Sequence, residues 1–354
     1  MAADARFDSL REALGAIGRQ SLNDGGPRGA SPILTVAKHQ LRDWVESRLG
    51  AGDPEELARS LNAELDAAQL FCASQCVDEV AFFGTVHELQ IRRSGAYLTL
   101  VAGVGILCGF DDSAYVYRST AQGWRRVWQS EQNNYLEGAY RPQMMVSVQV
   151  SPRGDMVLTL GREPWCTSWW HDVYYRVFRL GSEGRPLIDG SSWAYVPEDP
   201  PIRGRFDEDR VLVEFTVASL DPGIHSRKKV VNYKIDGNRV SRVDPLALSP
   251  RDFVEEWVGT KWNQVSQWTE QQSFRGWHEQ HRGTLTFVYS TMRCRGSADL
   301  WQVKSGIGKA DVGTYFLVRR TPPYVFRMVR VSQWADPSCV IPDPGVNQHG
   351  TLIP

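Results

Sequence analysis

The strongest constraint on the fold is a strand pattern that occurs three times between residues 81 and 248. Residues 95–101, 154–160 and 208–215 each begin at a turn and continue as an apolar, largely alternating strand. In every copy a second strand, rich in aromatic or β-branched residues, follows after a loop, and a turn with a shorter strand completes the copy. With one preceding strand, each copy predicts four antiparallel strands within roughly 55 residues.

The three copies are expected to lie against one another, because a four-stranded antiparallel sheet cannot bury both of its faces alone. Four strands per repeat is also the content of a β-propeller blade, but ordinary propellers have about 4 to 8 blades and three copies are too few to close a ring. The sequence therefore predicts a mainly β protein of repeated four-stranded antiparallel meanders. They are either propeller-like, with the rest of the chain supplying another blade, or stacked as open sheets.

The first 80 residues are predicted to be an N-terminal helical segment. Apolar residues recur at helical spacing from residue 31 to Gly50, and again from residue 57 to residue 68. Asp53, Pro54 and Glu56 form a capping box at the start of the second helix, because the Asp53 carboxylate can accept an N–H of the first turn. The two helices are expected to form an antiparallel hairpin whose apolar face packs on a larger element.

Residues 249–354 are predicted to hold a helix followed by a four-stranded antiparallel sheet. Ser249 is the cap, Pro250 is the first helical residue, and apolar residues continue on one face past Gly259, where a kink is expected. This region is either a separate α+β domain or the closing blade, and the segment from Pro342 is predicted to run along the surface. The strand patterns lie at residues 284–291, 299–304, 314–319 and 324–332.

Charge and hydropathy exclude two broad classes of partner. The 40 Lys and Arg residues nearly balance the 41 Asp and Glu residues, so the net charge of −1 argues against a nucleic-acid-binding protein. No stretch reaches the roughly 18 to 20 apolar residues of a membrane helix, so we expect a soluble protein without a membrane span. Residues 1–10 lack the features of a secretory signal, so the protein is either cytoplasmic or extracytoplasmic after signal removal, and we favour the second.

One predicted loop, residues 161–172, is unusually rich in tryptophan. It corresponds to residues 103–113 of the first copy, and equivalent loops gather on one rim of a repeated scaffold, where binding sites commonly lie. Large apolar rings beside a few polar groups suit a sugar ring or a peptide side chain. Alternatively, the indoles fill the centre of the fold or cover a neighbouring sheet. The candidate ligand-binding residues are Asp112, Arg162, Trp165, Trp169, Trp170 and His171.

Three functions are compatible with these features. The favoured interpretation is a non-enzymatic binding or interaction module, with a carbohydrate or peptide as partner. The alternative is a hydrolase for a glycan or another polar substrate, and two carboxylates within roughly 5 to 10 Å in a tryptophan-walled pocket would favour it. A third interpretation gives residues 249–354 a role in small-ligand binding or dimerisation, which a large closed cavity behind the helix would support.

The six cysteines predict disulfides if the compartment is oxidising. Cys108 and Cys166 occupy nearly equivalent positions in adjacent copies, so a bond between them would join two neighbouring loops. Cys294 and Cys339 flank the C-terminal meander and would close its ends in the same way. Buried free thiols are the other interpretation for these residues.

No motif predicts a metal, a cofactor or a known catalytic centre. His278 and His281 have a spacing that can ligate a metal, but no third ligand is identifiable, so a solvated polar loop is expected there. The glycines from Gly103 to Gly109 superficially match a dinucleotide-binding loop, but no helix follows them. The sequence has no nucleophile elbow, P-loop or kinase motif, and we therefore predict no cofactor.

Overall fold

The protein is described by a computed structural model, which covers residues 7–24, 31–50, 52–70, 84–106, 109–131, 143–164, 168–181, 185–196, 200–220, 225–309 and 312–342. The chain divides into two compact units, Met1–Trp193 and Ala194–Pro354. It is mainly β, with four sheets of four or five antiparallel strands, which confirms the predicted fold class. No helix in the described ranges is long and apolar enough to cross a membrane.

The first unit contains three helices and two four-stranded sheets, in which each strand pairs with the next one in the sequence. The helices are α1 (Asp8–Asp24), α2 (Ser31–Glu46) and α3 (Pro54–Ala67). The first sheet comprises β1 (Gln90–Ser94), β2 (Tyr97–Ile106), β3 (Gly109–Thr120) and β4 (Gly123–Ser130). The second sheet comprises β5 (Met144–Val150), β6 (Met156–Arg162), β7 (Trp170–Arg179) and β8 (Ile188–Tyr195).

The first sheet is buried on both of its faces. Alternation along β3 directs Tyr115 and Tyr117 into the core that the three helices complete. The intervening residues, Ala114 and Val116, face the other way and pack with Val157 of the second sheet. Helices, first sheet and second sheet thus form successive layers, and the two predicted meanders of this unit stack face to face.

The third helix begins where the capping pattern predicts. The side chain of Asp53 accepts a hydrogen bond from the backbone N–H of Glu55, at 3.1 Å, and Pro54 is the first helical residue. The helix then buries Leu61 and Leu65 in the core shared with the first sheet. The predicted apolar face is therefore confirmed.

Buried charges join α2 to the first sheet. The ammonium group of Lys38 lies 2.8 Å from the carboxylate of Asp111, and both side chains are almost fully buried. Nearby, Glu131 accepts a hydrogen bond from the hydroxyl of Tyr115 and lies 2.9 Å from Nε2 of His39. Because a buried carboxylate without partners is costly, these contacts fix which face of α2 meets the sheet.

The second unit contains the other two sheets, again with antiparallel neighbours. The third sheet comprises β9 (Ile202–Asp207), β10 (Arg210–Ala218), β11 (Ser226–Asp236) and β12 (Arg239–Arg242). The fourth comprises β13 (Leu285–Cys294), β14 (Leu300–Ile307), β15 (Val312–Thr321), β16 (Val325–Ser332) and β17 (Cys339–Pro342). Between these sheets the chain forms α4 (Pro250–Gly259), α5 (Trp262–Val265), two short 3-10 turns (Ser266–Trp268 and Gln272–Phe274) and α6 (Arg275–His281).

The fourth helix has the predicted start and a different end. The hydroxyl of Ser249 accepts a hydrogen bond from the backbone N–H of Asp252, at 3.1 Å, and Pro250 is the first helical residue. The helix ends at Gly259, where we expected only a kink, and Thr260 is extended. Glycine is a poor helix former, so the apolar pattern continues in the separate helix α5.

The two sides of α4 have opposite character. Phe253 and Trp257 belong to the apolar core on the fourth sheet. The carboxylates of Glu255 and Glu256 lie 2.7 and 2.8 Å from the guanidinium of Arg227 on β11. Burial alone would raise the pKa of Glu256, but Arg227 and neighbouring cations outweigh it and lower the pKa to about 2. The helix therefore joins the third and fourth sheets through an apolar core and an ionic contact.

Two predictions for the second unit were incomplete or wrong. The fourth sheet has a fifth strand, β17, which pairs with β13, and the Sγ atoms of Cys294 and Cys339 are 1.95 Å apart, within disulfide distance. The expected polar loop at His278 and His281 is wrong, because both lie in α6. His278 is buried, and its Nε2 donates to the carbonyl of Trp257 at 2.8 Å.

Asp252 predicts an unusual pH dependence of stability. Burial raises the pKa of its carboxyl from 3.8 to about 6, so the folded protein holds this proton more tightly than the unfolded chain. This group therefore removes stability as the pH rises from about 4 to about 6. We expect Asp252→Asn to be more stable than the parent by about 3 kcal/mol at pH 7 and by only about 0.5 kcal/mol near pH 4, as measured by urea unfolding.

The exposed Asp207 provides the matched control, since Asp207→Asn should change stability at neither pH. Glu256 contributes stability with the opposite pH dependence, because its lowered pKa makes that stability disappear as the pH falls below 4.5. The parent and both variants contain Glu256, so its contribution cancels when their stabilities are compared. A stability difference of the same size at pH 4 and pH 7 would contradict the assignment.

Candidate binding site

A polar cleft of about 170 Å³ lies on the second sheet of the first unit. Its side chains come from the start of β5, the end of β6 and the neighbouring strands β7 and β8. The lining residues are Gln143, Glu163, Asp172, Tyr174, Arg176, Asp189 and Ser191.

Alternation along β7 explains why three of these side chains meet. Asp172, Tyr174 and Arg176 are two residues apart, so they project from the same face of the strand. Trp170, the first residue of β7, has the same parity and is half-buried. Trp170 therefore shares the face of β7 that carries these three lining residues, although it is not itself among the lining residues.

Arg176 is held in place by two neighbours. Its Nε donates to the carboxylate of Asp189 at 2.8 Å, and its guanidinium carbon lies 4.8 Å from the centre of the Tyr174 ring. Tyr174 is buried, and burial raises the pKa of its hydroxyl well above the ordinary value, which keeps the proton on the oxygen. Gly161 makes room for that hydroxyl, because an added Cβ would lie 2.0 Å from it.

The lining groups accept more hydrogen bonds than they donate. Glu163, Asp172 and Asp189 contribute three carboxylates, while Arg176 is the one cationic side chain among the lining residues that the structure describes. Ionised carboxylates only accept hydrogen bonds. The arrangement therefore suits a ligand that supplies hydroxyl or ammonium donors, and it disfavours an anion.

The connection between β6 and β7 is tied down by its own backbone. The N–H of Glu163 donates to the carbonyl of Asp172 at 2.9 Å. The two ring nitrogens of His171 lie 3.2 Å from the carbonyl of Glu163 and 2.5 Å from that of Ser168. A neutral imidazole has one N–H and donates to one of these oxygens. His171 is buried within β7, in a strand and not in the predicted loop, and it is not among the residues that line the cleft.

The remaining candidates of the tryptophan-rich segment lie in different environments. Trp169 is 67% exposed, the largest exposure of any large apolar side chain in this segment of the described chain. Arg162 is the last residue of β6 and is half-buried. Trp165 lies outside the described residues, as do Cys108 and Cys166, so their predicted pairing stays a prediction. No lining residue of the described cleft is a tryptophan.

Asp112 lies in a strand and not in a loop, which corrects the prediction for residues 103–113. The strands β2 and β3 extend to Ile106 and from Gly109, and Asp112 is almost fully buried within β3. The prediction failed because consecutive aspartates resemble loop residues, whereas in this sheet both carboxylates have buried partners.

The carboxylate of Asp112 fastens the edge of the cleft. One of its oxygens accepts a hydrogen bond from the backbone N–H of Met145 at 2.7 Å, while the backbone N–H of Asp112 donates to the carbonyl of Gln143 at 2.8 Å. Its other oxygen lies 2.8 Å from Nδ1 of His87. Burial alone would lower the pKa of His87, but the carboxylate of Asp112 outweighs it and raises the pKa. Asp112 thus positions Gln143 at the cleft without lining it.

None of the candidate residues that the structure describes lines the cleft, and the lining residues Glu163 and Asp172 lie within the predicted loop 161–172 without having been selected. Gln143, Tyr174, Arg176 and Asp189 belong to the cleft because four separate segments converge there. The alternation of residues from Asp172 along β7 was the available signal for two of them. The convergence of β5 and β8 on the same place was not visible in the sequence. Among the described residues, no cluster of three His, Cys, Asp or Glu side chains is placed to hold a metal ion.

Comparison with known proteins adds little to this geometry. No protein-family model matches the chain, and no curated protein matches it. A solved structure described as "Glycoside hydrolase" is similar over 73% of this chain and 75% of its own, with 9% identity and a TM-score of 0.24. A TM-score this low does not indicate a shared fold, so no function is carried over from it.

Replacing Gly103 tests the role of Asp112. An added Cβ at Gly103 would lie 1.8 Å from a carboxylate oxygen of Asp112, so the carboxylate would have to leave His87 and Met145. We expect Gly103→Ala to lower the free energy of unfolding by on the order of 3 kcal/mol, measured by urea unfolding. Gly50→Ala is the control, because its nearest contact would be an ordinary 3.9 Å. Equal stability of the two variants would refute this role.

Proposed function

We propose that the protein is a non-enzymatic binding module that holds a carbohydrate in the polar cleft of the first unit. The observation that carries this proposal is the lining itself, in which three carboxylates face one cation. Sugars present several hydroxyl donors within a small volume, and carboxylates accept such hydrogen bonds strongly because they are charged. The fixed pair of Arg176 and Asp189 adds donors and acceptors of defined direction.

Trp170 supports a sugar more than another polar ligand. It shares the face of β7 with Asp172 and is half-buried. The flat apolar face of an indole can pack on the apolar face of a sugar ring while polar groups fix the orientation.

The charge of the cleft narrows the class of carbohydrate. Among the lining residues that the structure describes, Arg176 is the one cation and its Nε donates to Asp189, so their summed charge is negative. A sulfated or uronic acid sugar would place like charges together, whereas an amino sugar would pair an ammonium group with a carboxylate. We therefore infer a neutral or amine-bearing glycan as the ligand.

Calorimetry with three hexasaccharides tests this proposal. We expect chitosan hexamer to bind more tightly than neutral chitohexaose, and hexagalacturonate not to bind. Asp172→Ala should weaken binding of chitosan hexamer about tenfold, because a charge-assisted hydrogen bond is lost. Asp66→Ala, on the exposed side of α3, removes the same charge elsewhere and should leave the affinity unchanged. Preferred binding of hexagalacturonate, or equal affinities of the two variants, would reject the proposal.

The same carboxylates favour a second candidate function, glycan hydrolysis. Glu163, Asp172 and Asp189 line one cleft, and hydrolysis of a glycosidic bond uses a carboxyl pair as acid and base or nucleophile. If the protein is a hydrolase, Glu163→Gln should abolish cleavage of the bound hexamer. The affinity for the hexamer should change little, since the glutamine amide has the same shape as the carboxyl group that it replaces. Chromatography of the incubated hexamer detects any shorter sugars. A hexamer that binds and yields no shorter sugar would reject hydrolysis and leave the binding module.

We further propose an extracytoplasmic location. The sulfur atoms of Cys294 and Cys339 lie at disulfide distance, and disulfides persist in oxidising compartments. Many proteins that bind free or surface glycans operate in such compartments, so this location is consistent with the proposed ligand.

A further inference from the structure

A second cleft, larger than the first, lies in the second unit. Its volume is about 440 Å³, within the range of roughly 300 to 1,000 Å³ that small-molecule sites occupy. One side is formed by Trp277 and His281 of α6, and the other by the ends of β14, β15 and β16. Ile307 and Val331 contribute apolar surface from the sheet. The cleft is therefore an aromatic and aliphatic slot between a helix and strand ends.

The aromatic side of the cleft is built before any ligand arrives. The ring of Trp277 stacks on that of Trp257, with centroids 6.1 Å apart and an interplanar angle of 20°. The ring of Trp277 also stacks on that of His281, with centroids 4.5 Å apart and an interplanar angle of 18°. Phe316 meets Trp277 edge-on at 5.6 Å. Because these contacts hold the indole in place, a planar ligand would lose little free energy to ordering it.

The polar groups of this cleft have the opposite charge from those of the first. Lys309 contributes an exposed ammonium group, and none of the lining residues that the structure describes is Asp or Glu. Nδ1 of His281 donates to the carbonyl of Trp277 at 2.7 Å, so Nε2 is the ring nitrogen that remains for a ligand. Ser332 and Gln333 add neutral hydrogen-bonding groups at the end of β16. Among the described lining residues, a negative charge on the ligand would thus be attracted by the ammonium group of Lys309 and repelled by no carboxylate.

We propose that this cleft binds a small organic carboxylate with an aromatic body. The flat body packs against Trp277 and the aliphatic side chains of Ile307 and Val331, and the carboxylate pairs with Lys309. Charge complementarity selects an anion, and the aromatic and aliphatic walls of the cleft favour a rigid apolar body over a flexible chain. This inference is independent of the carbohydrate proposed for the first unit, whose cleft would repel the same anion.

Calorimetry with 2-naphthoate and its neutral analogue 2-naphthamide tests the proposal on the full chain. The carboxylate is expected to bind about fivefold more tightly than the amide, since an exposed ion pair contributes modestly. Lys309→Glu should remove this preference while leaving the affinity for the amide nearly unchanged. Lys261→Glu makes the same charge change at another exposed lysine and should preserve the preference. Thermal unfolding checks that each variant is folded.

Two further variants test whether the naphthalene compounds occupy this cleft. Val331→Trp should fill the cleft and abolish binding of both compounds, with Val340→Trp, at an exposed position, as its control. Asp172→Ala in the first unit should leave both affinities unchanged, so failure of either proposal is distinguishable from failure of the other. No binding of 2-naphthoate at millimolar concentration, equal binding of acid and amide, or undiminished binding to Val331→Trp would overturn the proposal.

Discussion

Burial of both faces of the first sheet is the constraint on which the first unit depends. A sheet of four strands has apolar side chains on each face, and water must be excluded from both. The helices cover one face of the first sheet and the second sheet covers the other, so loss of either layer would expose apolar side chains to water. The polar cleft lies on the second sheet, and its position is therefore set by a packing requirement that has nothing to do with a ligand. This is the usual relation between a rigid β scaffold and the site that it carries.

Buried carboxylates make this layering specific. Asp111 and Asp112 are adjacent on β3, and alternation sends them to opposite faces. Asp111 meets Lys38 of α2, while Asp112 accepts the N–H of Met145 at the start of β5. A shift of β3 by one residue would exchange the two carboxylates between layers and leave both without these partners. Apolar packing alone tolerates such a shift more readily. The two adjacent aspartates therefore select the register of β3, whatever their net contribution to stability.

Much of the fold was predictable because it follows from local periodicity. The four-strand copies, the cap at Asp53 and the cap at Ser249 are patterns within a few residues of sequence, and the structure contains them. The strand β17 and the buried aspartates of β3 were missed, since their environment is created by distant parts of the chain. The same distinction between local patterns and distant contacts applies to the cleft of the first unit. Asp172 lies in the segment that sequence reasoning selected, whereas Arg176 and Asp189 meet only through the pairing of neighbouring strands.

The near-neutral composition conceals a separation of charge that only the folded chain reveals. Lys and Arg balance Asp and Glu in number, which predicts no preference for charged partners. Among the described lining residues, folding nevertheless gathers three carboxylates around one cleft and places Lys309 without a carboxylate at the other. Electrostatic attraction between exposed groups falls off over about 10 Å at moderate salt, so a ligand responds to the side chains that line its cleft more than to the net charge. Two clefts of one neutral protein can therefore select ligands of opposite charge.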